Sequence, residues 1–152
     1  MLTITPFLWF DKQAEDAMNY YASIFPRAKA LSVHRANGQV MSVEYELEGQ
    51  KFMGFNAGPQ HKFNDAVSFF VGCDTQQEVD TLWDKLTGDG GSPGRCGWLK
   101  DKFGLSWQII PKKLGSLLGG GGDPARAKRV LDAMLQMEKL DEPRLQAAYD
   151  AK

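Results

Sequence analysis

An α+β fold made of two βαβββ modules and extra C-terminal helices is what this chain of 152 residues predicts. Three observations carry that reading. Each half sets short β-branched and aromatic runs around one segment of helical period. The phrase DKQAE, which opens at Asp11, returns as DTQQE opening at Asp74, a repeat of about 63 residues. Beyond a four-glycine run at Gly119–Gly122, the apolar pattern becomes helical throughout.

The first run, ITPFLWF (4–10), reads as a strand. The segment that follows, DKQAEDAMNYYASIFP, places Ala14, Ala17, Met18, Tyr21, Ile24 and Phe25 on one helical stripe, with Asp11 as its cap and Pro26 as its stop. Three strands are predicted next, at 29–36, 40–49 and 51–57, separated by the turn signals Asn37-Gly38 and Glu48-Gly49. This is module one, 1–58.

Module two, 64–111, opens with AVSFFVGCD (66–74). In TQQEVDTLWDKLTGDGG, Thr75 and Glu78 form a capping-box signature, and Val79, Leu82, Trp83 and Leu86 make the buried stripe. A weak strand within 91–96 precedes GWLK and LSWQIIP, which flank a turn at Asp101–Gly104. Two such sheets need one another for cover, so the chain reads as a single domain over 1–152.

The tail, 112–152, has Asp123 at an N-cap and Pro124 at the first helical position. Val130, Leu131, Met134 and Leu135, running on to Met137, form its apolar face, and Leu145, Ala148 and Tyr149 extend it on a last short helix. That face packs either on its own subunit or across a subunit boundary. The glycine run has no strand before it and no Gly-Lys-Ser/Thr ending, which makes it a linker rather than a phosphate cradle.

Composition excludes several classes. Hydrophobic residues make up 43% and charged residues 24%, with a formal net charge of −1. No basic stripe for nucleic acid is present, and no run approaches the roughly 18 apolar residues of a membrane span. The N-terminus lacks the pattern of a secretion signal, so the expected location is cytoplasmic. Cys73 and Cys96 lack the spacing of a zinc or redox motif and read as two reduced structural thiols. Cys96, next to Arg95, is also weighed as a nucleophile, but it has no histidine near it in sequence.

Alternation sorts the strands into two faces. Leu8, Phe10, Phe69, Val71, Cys73, Leu105, Trp107 and Ile109 belong beneath the helices. The opposite, concave face collects Thr5, Phe7, Trp9, Ser68, Phe70, Ser106, Gln108 and Ile110. Aromatic walls with a few polar groups make a small-molecule pocket. The competing reading is that Ser68 and Gln108 hydrogen-bond each other within a filled core.

The paired modules, together with PFLWFDKQAEDAMNYYASIFP, GPQHKFNDAVSFFVGCD and CGWLKDKFGLSWQIIP, resemble the PhnB-like branch of the vicinal oxygen chelate superfamily, and the resemblance extends into the tail. It implies the glyoxalase/bleomycin-resistance/dioxygenase fold, a curved mixed sheet. That branch is also described as a 3-demethylubiquinone-9 3-methyltransferase domain, yet the chain lacks the glycine-rich strand–turn–helix that adenosyl-nucleotide binding uses. In metal-dependent members, His and Glu side chains hold a divalent ion. The corresponding positions here are Thr5, near Phe52, Ser68 and Gln108, none of which is His, Asp, Glu or Cys, so no metal and no cofactor are expected. His61, with Asp65 four residues on, and His34 offer only a weak alternative.

The resulting expectation is a homodimer that binds a small apolar or aromatic ligand through Phe7, Trp9, Phe55, Asn56, Ser68, Phe70, Trp98 and Gln108. It has neither nucleic-acid nor membrane partners. The competing class is an enzyme, either a methyltransferase or a metal-dependent lyase or dioxygenase, for which Glu44 and Glu46 are the nearest inward carboxylates.

Overall fold

The computed structural model describes residues 1–152. The chain divides into two units, Met1–Phe63 and Asn64–Lys152. The first contains β1 (Phe7–Phe10), α1 (Ala14–Ile24), β2 (Ala28–Ala36), β3 (Gln39–Leu47) and β4 (Gln50–Asn56). Its four-stranded sheet has the order β1-β4-β3-β2, with β1 parallel to β4 and the other pairs antiparallel. The second contains β5 (Ser68–Cys73), α2 (Gln76–Thr87), β6 (Ser92–Pro93), β7 (Trp98–Lys100) and β8 (Ser106–Pro111). Its sheet repeats the plan as β5-β8-β7-β6, with β5 parallel to β8. Both predicted βαβββ modules are therefore present, and the weak sixth strand shrinks to two residues.

In module one, α1 buries Ala14, Ala17, Met18, Tyr21 and Ile24 against Leu8, Phe10, Val43, Tyr45, Leu47 and Phe52. Tyr45 stacks nearly flat on Phe52 with ring centroids 5.4 Å apart. Gly54 makes room for this core, because a Cβ there would lie 3.2 Å from the Phe10 ring and 3.3 Å from Val43.

The start of α1 differs from expectation. Gln13 is the N-cap and makes no side-chain bond, so Asp11 does not cap the helix. Instead Asn56, at the end of β4, accepts from the Ala14 N–H at 2.9 Å and donates to the Val40 carbonyl at 3.2 Å. The parallel pairing brings Phe10 beside Asn56, so the end of β4 arrives where the helix begins. A cap contributes about 1 kcal/mol. Burial of Met18 and Ile24 contributes about 1.5–3 kcal/mol each, so packing, more than capping, holds α1 in place.

In module two the capping box forms as read. Thr75 Oγ1 accepts from Glu78 N at 3.1 Å, and Glu78 Oε2 accepts from Thr75 N at 3.3 Å. Val79, Leu82, Trp83 and Leu86 are buried. The β7–β8 turn is organised by Asp101, which is only 2% exposed. Its Oδ1 accepts from the N–H groups of Phe103 (2.9 Å) and Leu105 (3.1 Å), and its Oδ2 accepts from Trp107 Nε1 at 2.9 Å.

The tail forms α3 (Leu114–Leu118), a 310 turn (Gly120–Gly122), α4 (Pro124–Met134) and α5 (Glu142–Asp150). Leu114, Leu117, Val130, Met137, Leu140 and Leu145 enclose Ile110 of β8 in one buried cluster, so the apolar face packs on its own subunit. Leu131 and Leu135 stay exposed. Gln76 ties the tail to α2, donating to the Leu140 carbonyl at 2.9 Å and accepting from Glu142 N at 2.7 Å.

The glycine run is not an open linker. Gly121 has φ +60°, and a Cβ on it would lie 2.5 Å from Tyr149 Oη; one on Gly120 would lie 2.7 Å from Ala127 N. Glycine is needed there for close approach and left-handed backbone.

Asp101→Ala leaves three N–H donors unpaired, each bond to a charged group being worth about 1.5–3 kcal/mol; a loss of about 3 kcal/mol or more in urea unfolding is expected, with a smaller loss for Asp101→Asn. Burial pushes the Cys73 thiol up from 9.0 to about 11. The folded state then holds its proton more tightly than the unfolded state does. This stabilisation is complete below pH 9 and is lost as pH rises toward 11, so urea midpoints of the wild type should fall more steeply over that window than those of Cys73→Ala.

Candidate functional site

Side chains of β1 and β4 that point away from α1 build an aromatic face on module one. The Phe7 and Phe55 rings lie 4.8 Å apart, and Trp9 meets Phe55 edge-on at 4.9 Å. Trp9 is fixed further by its Nε1, which donates to the Gly58 carbonyl at 2.8 Å, and by His61, edge-on at 4.6 Å. Phe7 is 54% exposed despite its size. An aromatic row held at three points and open on one side is a preorganised stacking surface. His61 is exposed in the loop after β4, and its contact with Trp9 depends on the path of that loop and has no local sequence signal.

Asn56 does not join this face. It pairs in register with buried Phe10, on the helix side of the sheet, and its amide is committed to Ala14 and Val40. The expected polar contact from Asn56 is thus a structural bond. Glu44 and Glu46 do alternate onto the aromatic side, in register with Met53 and Lys51, and Glu44 pairs with Lys51 at 3.2 Å. His34 is exposed on the edge strand β2.

On module two, the side of β5 and β8 away from α2 carries Ser68, Phe70, Ser106 and Gln108. Gln108 Nε2 donates to Ser68 Oγ at 3.0 Å, so these two groups satisfy each other as the competing sequence reading supposed. Ser106 Oγ donates to Asp65 Oδ1 at 2.8 Å. That hydroxyl, with Lys100 3.4 Å away, holds the Asp65 carboxyl below its ordinary range. Phe70 is 64% exposed. Trp98 stands in register with Gln108 and lines an open groove of about 600 Å3 together with Asp65, Ser92, Arg95, Cys96 and Lys100. Arg95 was not singled out from sequence as a site residue, and Asp65 entered only beside His61 as a weak alternative; their places here arise from loops that return to the sheet.

The donor set does not fit the superfamily's divalent metal. Thr5 precedes β1, and Phe52 is 4% exposed on the helix side, stacked on Tyr45. Ser68 and Gln108 offer neutral oxygens already engaged with one another. No three His, Cys, Asp or Glu side chains gather as a metal-binding group. Cys96 has φ +56° and its Sγ donates to the Met134 carbonyl at 3.5 Å, with no histidine beside it to act as a base.

The profile of the 3-demethylubiquinone-9 3-methyltransferase family matches residues 2–110, so the match ends within β8 and leaves the tail outside. A PhnB protein from Bacillus cereus is 34% identical, with a TM-score of 0.67, and the alignment covers 72% of this chain and 99% of that one. A protein from Pseudomonas aeruginosa shares the fold at 20% identity and a TM-score of 0.61, over 74% and 98% of the two chains. A glyoxalase/bleomycin resistance protein/dioxygenase domain from Frankia shares the fold at 12% identity and a TM-score of 0.50, over 70% and 94%. Comparison with curated proteins finds no match. Twin βαβββ modules, the matched profile and the PhnB likeness together place this chain in the 3-demethylubiquinone-9 3-methyltransferase family, as a PhnB-like protein of the vicinal oxygen chelate superfamily.

Proposed function

We propose that this protein binds a small apolar or aromatic molecule without a metal ion, and that it does so as a homodimer. The observation that carries the reading is the Phe7–Phe55–Trp9–His61 row, which is rigidly held yet left open on module one. Phe70 and Trp98, with the Ser68–Gln108 pair, supply a second aromatic and polar surface on module two. Large apolar side chains left open, Phe7 on module one and Val67 and Phe70 on module two, support burial against a second copy of the chain.

Methyl transfer, named in the family description, is the second reading. It requires a place for an adenosyl donor. The four glycines stand between α3 and α4 with Tyr149 and Ala127 against them, rather than in a strand–turn–helix cradle. A metal-dependent lyase or dioxygenase would require Glu44 or Glu46 as a ligand, and Glu44 is engaged by Lys51.

Native mass spectrometry and metal analysis of the untagged protein test the proposal. A dimer mass, less than about a tenth of a divalent ion per subunit and saturable binding of 2-naphthylmethanol are expected. Trp9→Ala and Phe55→Ala should each weaken that binding about tenfold, in line with stacking energies near 1 kcal/mol plus lost burial. About one metal ion per subunit, or binding indifferent to both substitutions, would overturn it.

A further inference from the structure

The groove on module two differs in chemistry from the aromatic row on module one, because a cation without a counter-ion and an indole N–H without an acceptor stand in it. Its one carboxylate is engaged through a single oxygen: Asp65 Oδ1 accepts from Ser106 Oγ at 2.8 Å and pairs with Lys100 at 3.4 Å. The Arg95 guanidinium, by contrast, bonds to a neutral group only, its Nη2 donating to the Leu135 carbonyl at 2.8 Å. That bond tethers the planar fork and leaves its other N–H groups without acceptors in the protein. The Trp98 indole N–H likewise has no acceptor, whereas those of Trp9 and Trp107 do. An aromatic ring, a tethered cation without a counter-ion and a free indole donor line the same space of about 600 Å3, within the usual size range of ligand sites.

We propose that this groove takes a small organic anion, its flat apolar body against Trp98 and its carboxylate on the Arg95 guanidinium. The proposal rests on the small-molecule reading above and deepens it by assigning the ligand a charge. Guanidinium matches a carboxylate through two parallel N–H bonds, a geometry that a lysine ammonium cannot reproduce. The Asp65–Lys100 pair contributes no net charge, so the anion is drawn to Arg95 rather than repelled by Asp65.

Calorimetric titration with two probes of one shape, 2-naphthoate and neutral 2-naphthylmethanol, tests it at neutral pH on the wild-type protein and on Trp98→Ala, whose loss of affinity for naphthoate marks binding in this groove rather than on the aromatic row of module one. Naphthoate should bind at least tenfold more tightly. Arg95→Gln should remove that difference while leaving the affinity for naphthylmethanol unchanged, and Arg95→Lys should recover only part of it. Raising the salt concentration should weaken naphthoate alone. Equal affinity for the two probes overturns the proposal and leaves the small-molecule reading standing. Failure of both probes to bind overturns both. A naphthoate preference that survives in Arg95→Gln also overturns the proposal, because the wild-type comparison has then located the charge recognition elsewhere.

Discussion

Parallel pairing of the first strand with the last closes each module: Leu8 lies against Gly54 in one, and Phe69 against Trp107 in the other. A parallel pair cannot be joined by a tight turn, so the chain must cross over between the paired strands. The crossover carries a helix, and the helix covers a single face. The buried rows Leu8–Phe10–Val43–Tyr45 and Cys73–Trp107–Ile109 are thereby committed to the core. On the other face, module one carries the aromatic side chains of Phe7, Trp9 and Phe55, while module two mixes Phe70 with Ser68, Ser106 and Gln108 and has Ile110 covered by the tail.

The same pairing decides which polar groups remain available. At the end of the first pair, Asn56 is drawn onto the start of α1 and consumed there. In the second pair, the register sets Ser68 opposite Ser106 and Phe70 opposite Gln108, so Gln108 reaches Ser68 diagonally across two residues of stagger. Asp101 is consumed by its own turn and by Trp107. After these bonds are made, neutral polar groups are scarce on the open faces. Recognition falls to rings and to charges carried by the loops.

The local parts of the fold were legible in the sequence. The strands, the Thr75–Glu78 capping box, the Asp123 cap and the stripes of both crossover helices depend on residues within a few positions of one another. What escaped depends on long-range arrivals. Asp11 looked like a cap because nothing local reveals that Asn56 comes to the same place. The glycines looked like a linker because Tyr149, which fills the space beside Gly121, lies on a different helix. The site shows the same division. Alternation assigned Phe7 and Trp9 to one face, while the partnership of Ser68 with Gln108 remained one of two options until the register was known. The bond that holds Arg95 spans 40 residues and leaves no trace in its neighbourhood.

The strap between α4 and α5 carries a consequence for the order in which the chain folds. Gln76 is joined to residues 64 and 66 positions later, and Cys96 and Gly97 donate through their backbone N–H groups to the carbonyls of Met137 and Glu138. Ile110 gains its cover from the same late segment. Module one makes its sheet and helix contacts within its first 63 residues. In module two, Ile110 and the backbone N–H groups of Cys96 and Gly97 lack this cover until the segment around Met137–Glu142 docks. Pairings 64 and 66 positions apart are the kind of long-range contact that slows folding and prolongs the exposure of uncovered apolar surface.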